Sequence, residues 1–192
     1  MNFLGTVKLE SDRLVLRRFT KDDSKEIFEG FRNQPEFLFY TNKEKISLEM
    51  QEKSLEKIDE KYENLEYFNW LITLKETGSI IGAINLRVNS KNDSVMFNYA
   101  IDNRFTGKGF MTEALMLVKD FCFSKLEVVR FEGGCASQNI ASKRVMEKCG
   151  LQFEGTLKSY IKLSNGYHDM LMFAEINPVT RRKSWKKITQ NF

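Results

Sequence analysis

Between residues 67 and 101 three runs of alternating apolar and polar residues follow one another with almost no chain between them: YFNWLITLK, SIIGAINLRV and SVMFNYAI. A turn at Gly78 separates the first two and the polar stretch NSKND the last two. Connections this short cannot hold the crossover that parallel neighbours need, so the three runs are read as an antiparallel meander in one sheet. RLVLRRF at 13 to 19 suits a further strand, at an edge or half-buried. Thr20 then stands where an N-cap would, with Asp23 at the third position of a short helix. QPEFLFYTN, with one of the two prolines, interrupts the pattern, and its EFLFY suits cleft lining, core or interface equally. From 44 to 66, Leu55, Ile58, Tyr62 and Leu65 recur at spacings of 3, 4 and 3 with Glu and Lys between them, which predicts one amphipathic helix, a partner-binding helix being the alternative.

After the meander come a helix over about 107 to 125, the β-rich VVRFEGGCA, a helix NIASKRVMEKC closed by Gly150, and two runs, GTLKSYIKL and YHDMLMFAEI, flanking Ser164, Asn165 and Gly166. An Asn-Gly pair between alternating runs marks a hairpin. The order β, α, α, β, β, β, α, β, α, β, β describes an α/β (α+β) fold, a mixed sheet with helices packed on it.

A chain of 192 residues, 42% hydrophobic, supports one core. We read one domain over residues 8 to 176 and a basic tail over 177 to 192. Arg181, Arg182, Lys183, Lys186 and Lys187 carry more than the whole net charge of +4, leaving 25 basic against 26 acidic residues on the body. A body this neutral lacks the basic stripe of a nucleic-acid-binding domain, so the tail is read as solubilising, with docking to RNA or an acidic surface as the alternative. No run approaches the ~18 apolar residues of a membrane helix and no signal peptide opens the chain, so a soluble, cytoplasmic protein is expected. Cys122, Cys135 and Cys149 form no C-x-x-C pair and His168 is the one histidine, which argues against structural zinc or a disulfide scaffold and for buried thiols.

The stretch IDNRFTGKGFMTEAL sets two glycines, Gly107 and Gly109, between a strand and a helix. It is not a Walker loop, which needs four residues between its glycines and then Lys-Ser or Lys-Thr. Nor is it a dinucleotide fingerprint, because Thr112 stands where the third glycine belongs. What remains is either an anion-binding turn at a helix N-terminus, with Thr112, Lys108 and Arg104 as further donors, or a loop that needs glycine for positive φ.

R-x-x-G-x-G, here Arg104, Gly107 and Gly109, resembles the acyl-CoA pyrophosphate loop of the GCN5-related N-acetyltransferases. RFTGKGFMTEAL, SQNIASKRVMEKCGLQFEG, RLVLRRFTKDD and NGYHDMLMFA are together similar to the ribosomal-protein N-terminal (RimJ/RimL-type) branch, over roughly residues 8 to 176. The resemblance implies a mostly antiparallel sheet splayed between its fourth and fifth strands, SVMFNYAI and RFEGGCAS, with helices on both faces. It implies acetyl-CoA as cosubstrate and no metal. The pantetheine arm would pair with the backbone at Tyr99, Ala100 and Ile101, and an N–H near Asn98 or Tyr99 would polarise the thioester carbonyl. Arg104, Gly107, Lys108, Gly109, Phe110 and Thr112 would hold the pyrophosphate, Asn139 a pantetheine amide, and Ser142, beside the sulfur, would hand a proton to the thiolate.

The base is where the chain departs from the branch. V-M-F-N-Y replaces a strand that often reads A-E-I-G-Y, so Met96 and Asn98 stand for a carboxylate and a glycine, and SYIKL lacks the later glutamate. Tyr160 as acid or water anchor and Glu154 as a base through water are the remaining candidates. His168 and Asp169 point to opposite faces of a strand and cannot act as adjacent partners, although a place in the acceptor cleft suits them. Cys135 lies near the expected thiol position, and an acyl-cysteine route is the weaker alternative to direct transfer. The expected reaction is acetylation of a primary amine, a protein N-terminal α-amine first, with polyamines or aminoglycosides as rival acceptors and a non-catalytic CoA-binding regulator as the rival class. A monomer or homodimer is expected.

Overall fold

The computed structural model describes residues 1–180, so the five basic residues of the C-terminal tail lie outside the described residues. Eight strands form one sheet: β1 (Leu9–Glu10), β2 (Leu14–Arg17), β3 (Phe68–Leu74), β4 (Ile80–Asn89), β5 (Ser94–Ile101), β6 (Arg130–Ala136), β7 (Gln152–Leu163) and β8 (Gly166–Ile176), in the order β1-β2-β3-β4-β5-β6-β8-β7. The expected meander is β3-β4-β5, and β7 and β8 form the final hairpin with Leu163 opposite Gly166. Strand β1 escaped the sequence reading because two residues carry no period. By covering β2 it makes RLVLRRF an inner strand, with Leu14 and Leu16 fully buried.

Helices α1 (Ser24–Glu29), α2 (Pro35–Thr41), α3 (Leu48–Leu55) and α4 (Ile58–Tyr62) cover one face, and α5 (Phe110–Phe121) and α6 (Ile140–Lys148) belong to the other. Alternation along β3 divides the core accordingly: Trp70 and Ile72 join Met111, Leu115 and Val118 of α5, while Leu71 joins Ile27, Leu55, Ile58 and Tyr62. The start of the first helix is pinned as its residues suggest. Thr20 N donates to Asp23 Oδ2 at 2.7 Å, although a 3-10 turn at Lys21–Asp23 intervenes before α1, and Arg17 forks the same carboxylate at 2.9 and 2.7 Å.

Two expectations need correction. QPEFLFYTN is not a break but α2, because Pro35 sits at the first helical position, where its missing N–H costs nothing. Residues 44 to 66 are not one helix. They divide at Glu56 and Lys57, where Ser54 Oγ donates back to Gln51 O at 2.7 Å and competes with the helical ladder. Leu55, Ile58 and Tyr62 are buried as their spacing requires, but α4 ends at Tyr62 and leaves Leu65 exposed. The Tyr62 hydroxyl ties α4 to the sheet, donating to Asn69 O at 2.7 Å and accepting from Phe19 N at 2.9 Å.

The chain outside 8 to 176 is tied to the same body. Trp70 Nε1 donates to Val7 O at 2.6 Å, the N-terminal ammonium meets Asp93 at 3.2 Å, and Asn177 Nδ2 donates to Phe123 O at 3.1 Å. All three cysteines are buried and free. No helix of the described residues is long and apolar enough to cross a membrane.

The one parallel contact positions the site. Strands β5 and β6 pair only at Ser94↔Arg130, Val95↔Phe131 and Met96↔Glu132, and then diverge. This is the expected splay, counted between the fourth and fifth of the strands read from sequence. At the point of divergence the Phe97 ring stacks on Phe131 at 4.8 Å and on Tyr99 at 6.0 Å, and it fills the space that a side chain at Gly133 would take. Replacement of Gly133 by Ala is therefore expected to cost about 1–3 kcal/mol through overpacking. Urea unfolding checks this, and in a Phe97→Leu background the penalty should fall by more than half. Equal penalties in the two backgrounds would contradict the packing account.

Candidate functional site

The glycine turn is shaped locally and clamped from a distance. Gly107 and Gly109 have φ of 74° and 81°, a region that costs other residues roughly 1–2 kcal/mol. Gly109 is the N-cap of α5 and offers no capping side chain, so the first-turn N–H groups face outward without intrahelical acceptors. Arg13, just before β2, holds the turn: Nε donates to Glu113 Oε2 at 2.7 Å, a terminal nitrogen donates to Lys108 O at 3.2 Å, and the guanidinium lies 4.5 Å from the Phe110 ring centroid. Ser11 Oγ donates to the other Glu113 oxygen at 2.6 Å. Burial alone would raise the Glu113 carboxyl, but the hydrogen bonds from Ser11 and Arg13 outweigh it and hold the group below the usual carboxylate range.

Arg104 has a different place from the one its motif suggests. It forks the fully buried Asp102, Nε to Oδ1 at 3.0 Å and a terminal nitrogen to Oδ2 at 2.6 Å, and Asp102 Oδ1 also accepts from Arg104 N at 2.9 Å. This bracket bends the chain from β5 into the turn and engages Nε and one of the two terminal nitrogens of the guanidinium. Lys108 extends over the Phe105 ring, its Nζ 5.3 Å from the centroid.

A cavity of about 300 Å³ lies between the end of β5, the glycine turn and α6. Of the residues expected at a cofactor site it is lined by Tyr99, Ile101, Gly107, Gly109, Phe110, Thr112 and Ser142. Ala100, Arg104, Lys108 and Asn139 do not line it. Asn139 serves as the N-cap of α6, its Oδ1 accepting from Ser142 N at 3.0 Å. The cavity adds Arg144 and Lys148, two cations that the sequence reading passed over. Their spacing from Ala141 and Val145, at i, i+3, i+4 and i+7, is the signal that puts them on one helix face. No aspartate or glutamate lines the cavity.

A second cleft, of about 750 Å³, opens on the other face of β5, between α2, α3, α4 and the strand pair β4-β5. Asn98 and Ala100 belong to it, and Tyr99 borders both spaces. The Tyr99 hydroxyl donates to Ser142 O at 3.3 Å, and burial pushes its phenol well above the ordinary value, so it stays protonated.

The remaining candidates stand elsewhere. Tyr160 is 64% exposed, in the irregular stretch between Leu157 and Ile161 of β7, and lines neither space. Glu154 is bound by the Arg130 guanidinium, whose hydrogen bonds hold its carboxyl low and remove it from use as a base. His168 meets Asn165 Oδ1 at 2.6 Å, while Asp169 takes Lys158 Nζ at 2.8 Å and Ser159 N at 2.9 Å, so the neighbours engage separate partners. The Cys135 thiol is buried, pushed up to about 11 by that burial, and lies outside the lining of the cavity, which argues against an acyl-cysteine route. Among the described residues no cluster of His, Cys, Asp or Glu could hold a metal ion.

The Asp102 bracket makes a prediction. Burial raises its carboxyl, but the bonds from Arg104 and Gln34 win and the net shift is downward. Its contribution is thus present above the unfolded value of about 3.9 and lost as pH falls through the lower folded value. Asp102→Asn should lower stability by about 1–3 kcal/mol at pH 7. Thermal melts should show the gap to the parent protein narrowing below about pH 4, and a gap that widened with acid would contradict the assignment.

Residues 13–152 match the acetyltransferase (GNAT) domain family. A probable N-acetyltransferase, YjcK of Bacillus subtilis (strain 168), is 29% identical over 160 residues, covering 82% of this chain and 85% of its own. The crystal structure of the ribosomal-protein-S5-alanine acetyltransferase from Vibrio fischeri has a similar fold, with a TM-score of 0.77 at 22% identity over 90% of this chain and 97% of that one. RimL, a ribosomal L7/L12 alpha-N-protein acetyltransferase solved with coenzyme A, gives 0.74 at 20% identity over 88% and 98%. With the family match spanning most of the sheet and both elements that frame the cavity, the chain belongs to the GNAT acetyltransferase family and is an N-acetyltransferase.

Proposed function

We propose that the protein transfers acetyl from acetyl-CoA directly to a protein N-terminal α-amine, both substrates being bound at once. One observation carries this reading: beyond Met96 and Glu132 the facing backbones of β5 and β6 are unpaired, and Tyr99 borders a space on each side of β5. Unpaired strand edges accept an added strand, and the amides of a pantetheine arm have the required alternation of donors and acceptors. The residues fit the rest of coenzyme A. The α5 N–H groups, Thr112, Arg144 and Lys148 suit a pyrophosphate, and no carboxylate opposes it. In this reading the backbone at Tyr99, Ala100 and Ile101 takes the arm, Gly107, Gly109 and Phe110 the pyrophosphate, and Asn139 contributes by fixing Ser142.

Bound acetyl-CoA supplies an activated thioester. The protein's task is then positioning, a neutral amine, and a proton for the sulfur. Ser142 is held by Asn139 at its N–H and by Tyr99 at its carbonyl, leaving the hydroxyl free to turn into the cavity. We assign it the proton for the departing sulfur, replenished from solvent. No carboxylate lines the acceptor cleft, so the amine's proton leaves to water. That favours an acceptor already partly neutral near pH 7: an α-amine, with a pKa of about 7.7–8.0, over a lysine-like amine near 10.4.

Titration calorimetry with acetyl-CoA and thiol release against a panel of amines test this reading. Peptides with a free α-amine should release thiol, with a rate rising between about pH 7 and 9 as the amine deprotonates. Binding without release for any peptide would overturn it. Gly107→Trp should lose acetyl-CoA binding with the fold intact. Ser142→Ala should lower kcat roughly 10- to 100-fold with little change in acetyl-CoA affinity, and an unchanged rate would remove Ser142 from the mechanism.

A further inference from the structure

Four cations reach into the acceptor cleft, Arg32, Lys43, Lys61 and Arg87, and no aspartate or glutamate lines it. Among the described residues none of the four forms an ion pair, although the body carries slightly more acids than bases. Arg32 is half-buried, and Lys43 is exposed beside it. Both pack on Phe37 of α2, the Arg32 guanidinium carbon 5.2 Å and Lys43 Nζ 5.6 Å from the ring centroid, and Arg32 is steadied by a hydrogen bond to Glu44 O at 3.3 Å. Burial pushes both groups below their ordinary values, with the like charge of Arg32 adding to the effect on Lys43. Two cations on one aromatic ring, with no carboxylate in the lining of the cleft, present positive charge that an anionic group would complement.

The four charges come from separate segments: the turn after α1, the turn after α2, α4, and β4. Four cations from four segments around one cleft suit a ligand that carries several negative charges. Asn69, Asn85 and Asn98 add neutral donors on its strand side. Resting on the acetyltransferase reading above, we propose that the cleft selects its acceptor by charge, taking protein N-termini whose first residues after the α-amine are acidic, with Arg32 and Lys43 as the specificity-determining pair. The same charges repel polyamines and aminoglycosides, whose amines are cationic at neutral pH.

The test uses the full chain and three peptides with the same N-terminal alanine, followed by Asp-Glu-Asp, Ser-Gly-Ser or Lys-Arg-Lys, together with spermidine and O-phosphoethanolamine. Thiol release should give the acidic peptide a kcat/KM at least about tenfold above the neutral one, the size of one charge-assisted contact. Arg32→Gln/Lys43→Gln should abolish that preference through KM while acetyl-CoA affinity by calorimetry stays unchanged. Arg32→Glu/Lys43→Glu, shown folded by circular dichroism, should favour the basic peptide. Equal or better use of the neutral peptide, the basic peptide or spermidine by the parent protein would overturn the charge rule and leave the acetyltransferase reading standing. Preference for O-phosphoethanolamine over every peptide would overturn the assignment to protein N-termini. Thiol release from no amine, with no peptide binding in calorimetry, would overturn both.

Discussion

The divergence of β5 from β6 is the constraint on which the rest depends. Two parallel strands that part after three register pairs leave main-chain donors and acceptors facing a gap inside the sheet, a condition that a folded protein tolerates only where something else can pair with them. At the parting the packing is tight: the Phe97 ring, stacked against Phe131 and Tyr99, takes the volume that a side chain at Gly133 would need. The outer edges of both strands are secured, β5 by eight pairs to β4 and β6 by seven to β8, so the gap stays open without loosening the sheet.

Around that gap the molecule spends its long-range polar contacts on holding a turn. Arg13 and Ser11 reach Glu113 and Lys108 across about a hundred residues, and Asp102 and Arg104 fix the chain just before Gly107. The cavity itself is lined by the α5 N-terminus and by two cations, Arg144 and Lys148. On the acceptor side cations again stand unopposed. The catalytic demand is modest by comparison: with no carboxylate in the cleft, the account relies on an acceptor amine that is neutral by its own pKa and on a serine fixed by its backbone.

Much of this was legible in the amino-acid order because it is local. Alternation marks β3, β4 and β5, the glycine pair marks the start of α5, and the spacing of NIASKRVMEKC marks α6, so the framing of the cavity could be read before any coordinate. What escaped falls into two kinds. Pro35 looks like a break but is compatible with a first helical turn, and the division between α3 and α4 depends on one hydroxyl, Ser54, bonding backward. The second kind is contact across the chain: Arg13 with Glu113, and four cations gathered from four segments, have no local period to betray them. Arg144 and Lys148 were within reach of the helical spacing, and an anion search along α6 would have found them.

The central claim is that the opened edge of β5 and the N-terminus of α5 together receive acetyl-CoA. Hydrogen exchange measured with and without acetyl-CoA tests it most directly, because unpaired amides gain protection only where the ligand sits. The account predicts slowed exchange over residues 97–101 and 107–112, with residues 32–43 unchanged. Protection confined to 32–43, or absent from 97–101 at saturating acetyl-CoA, would contradict it.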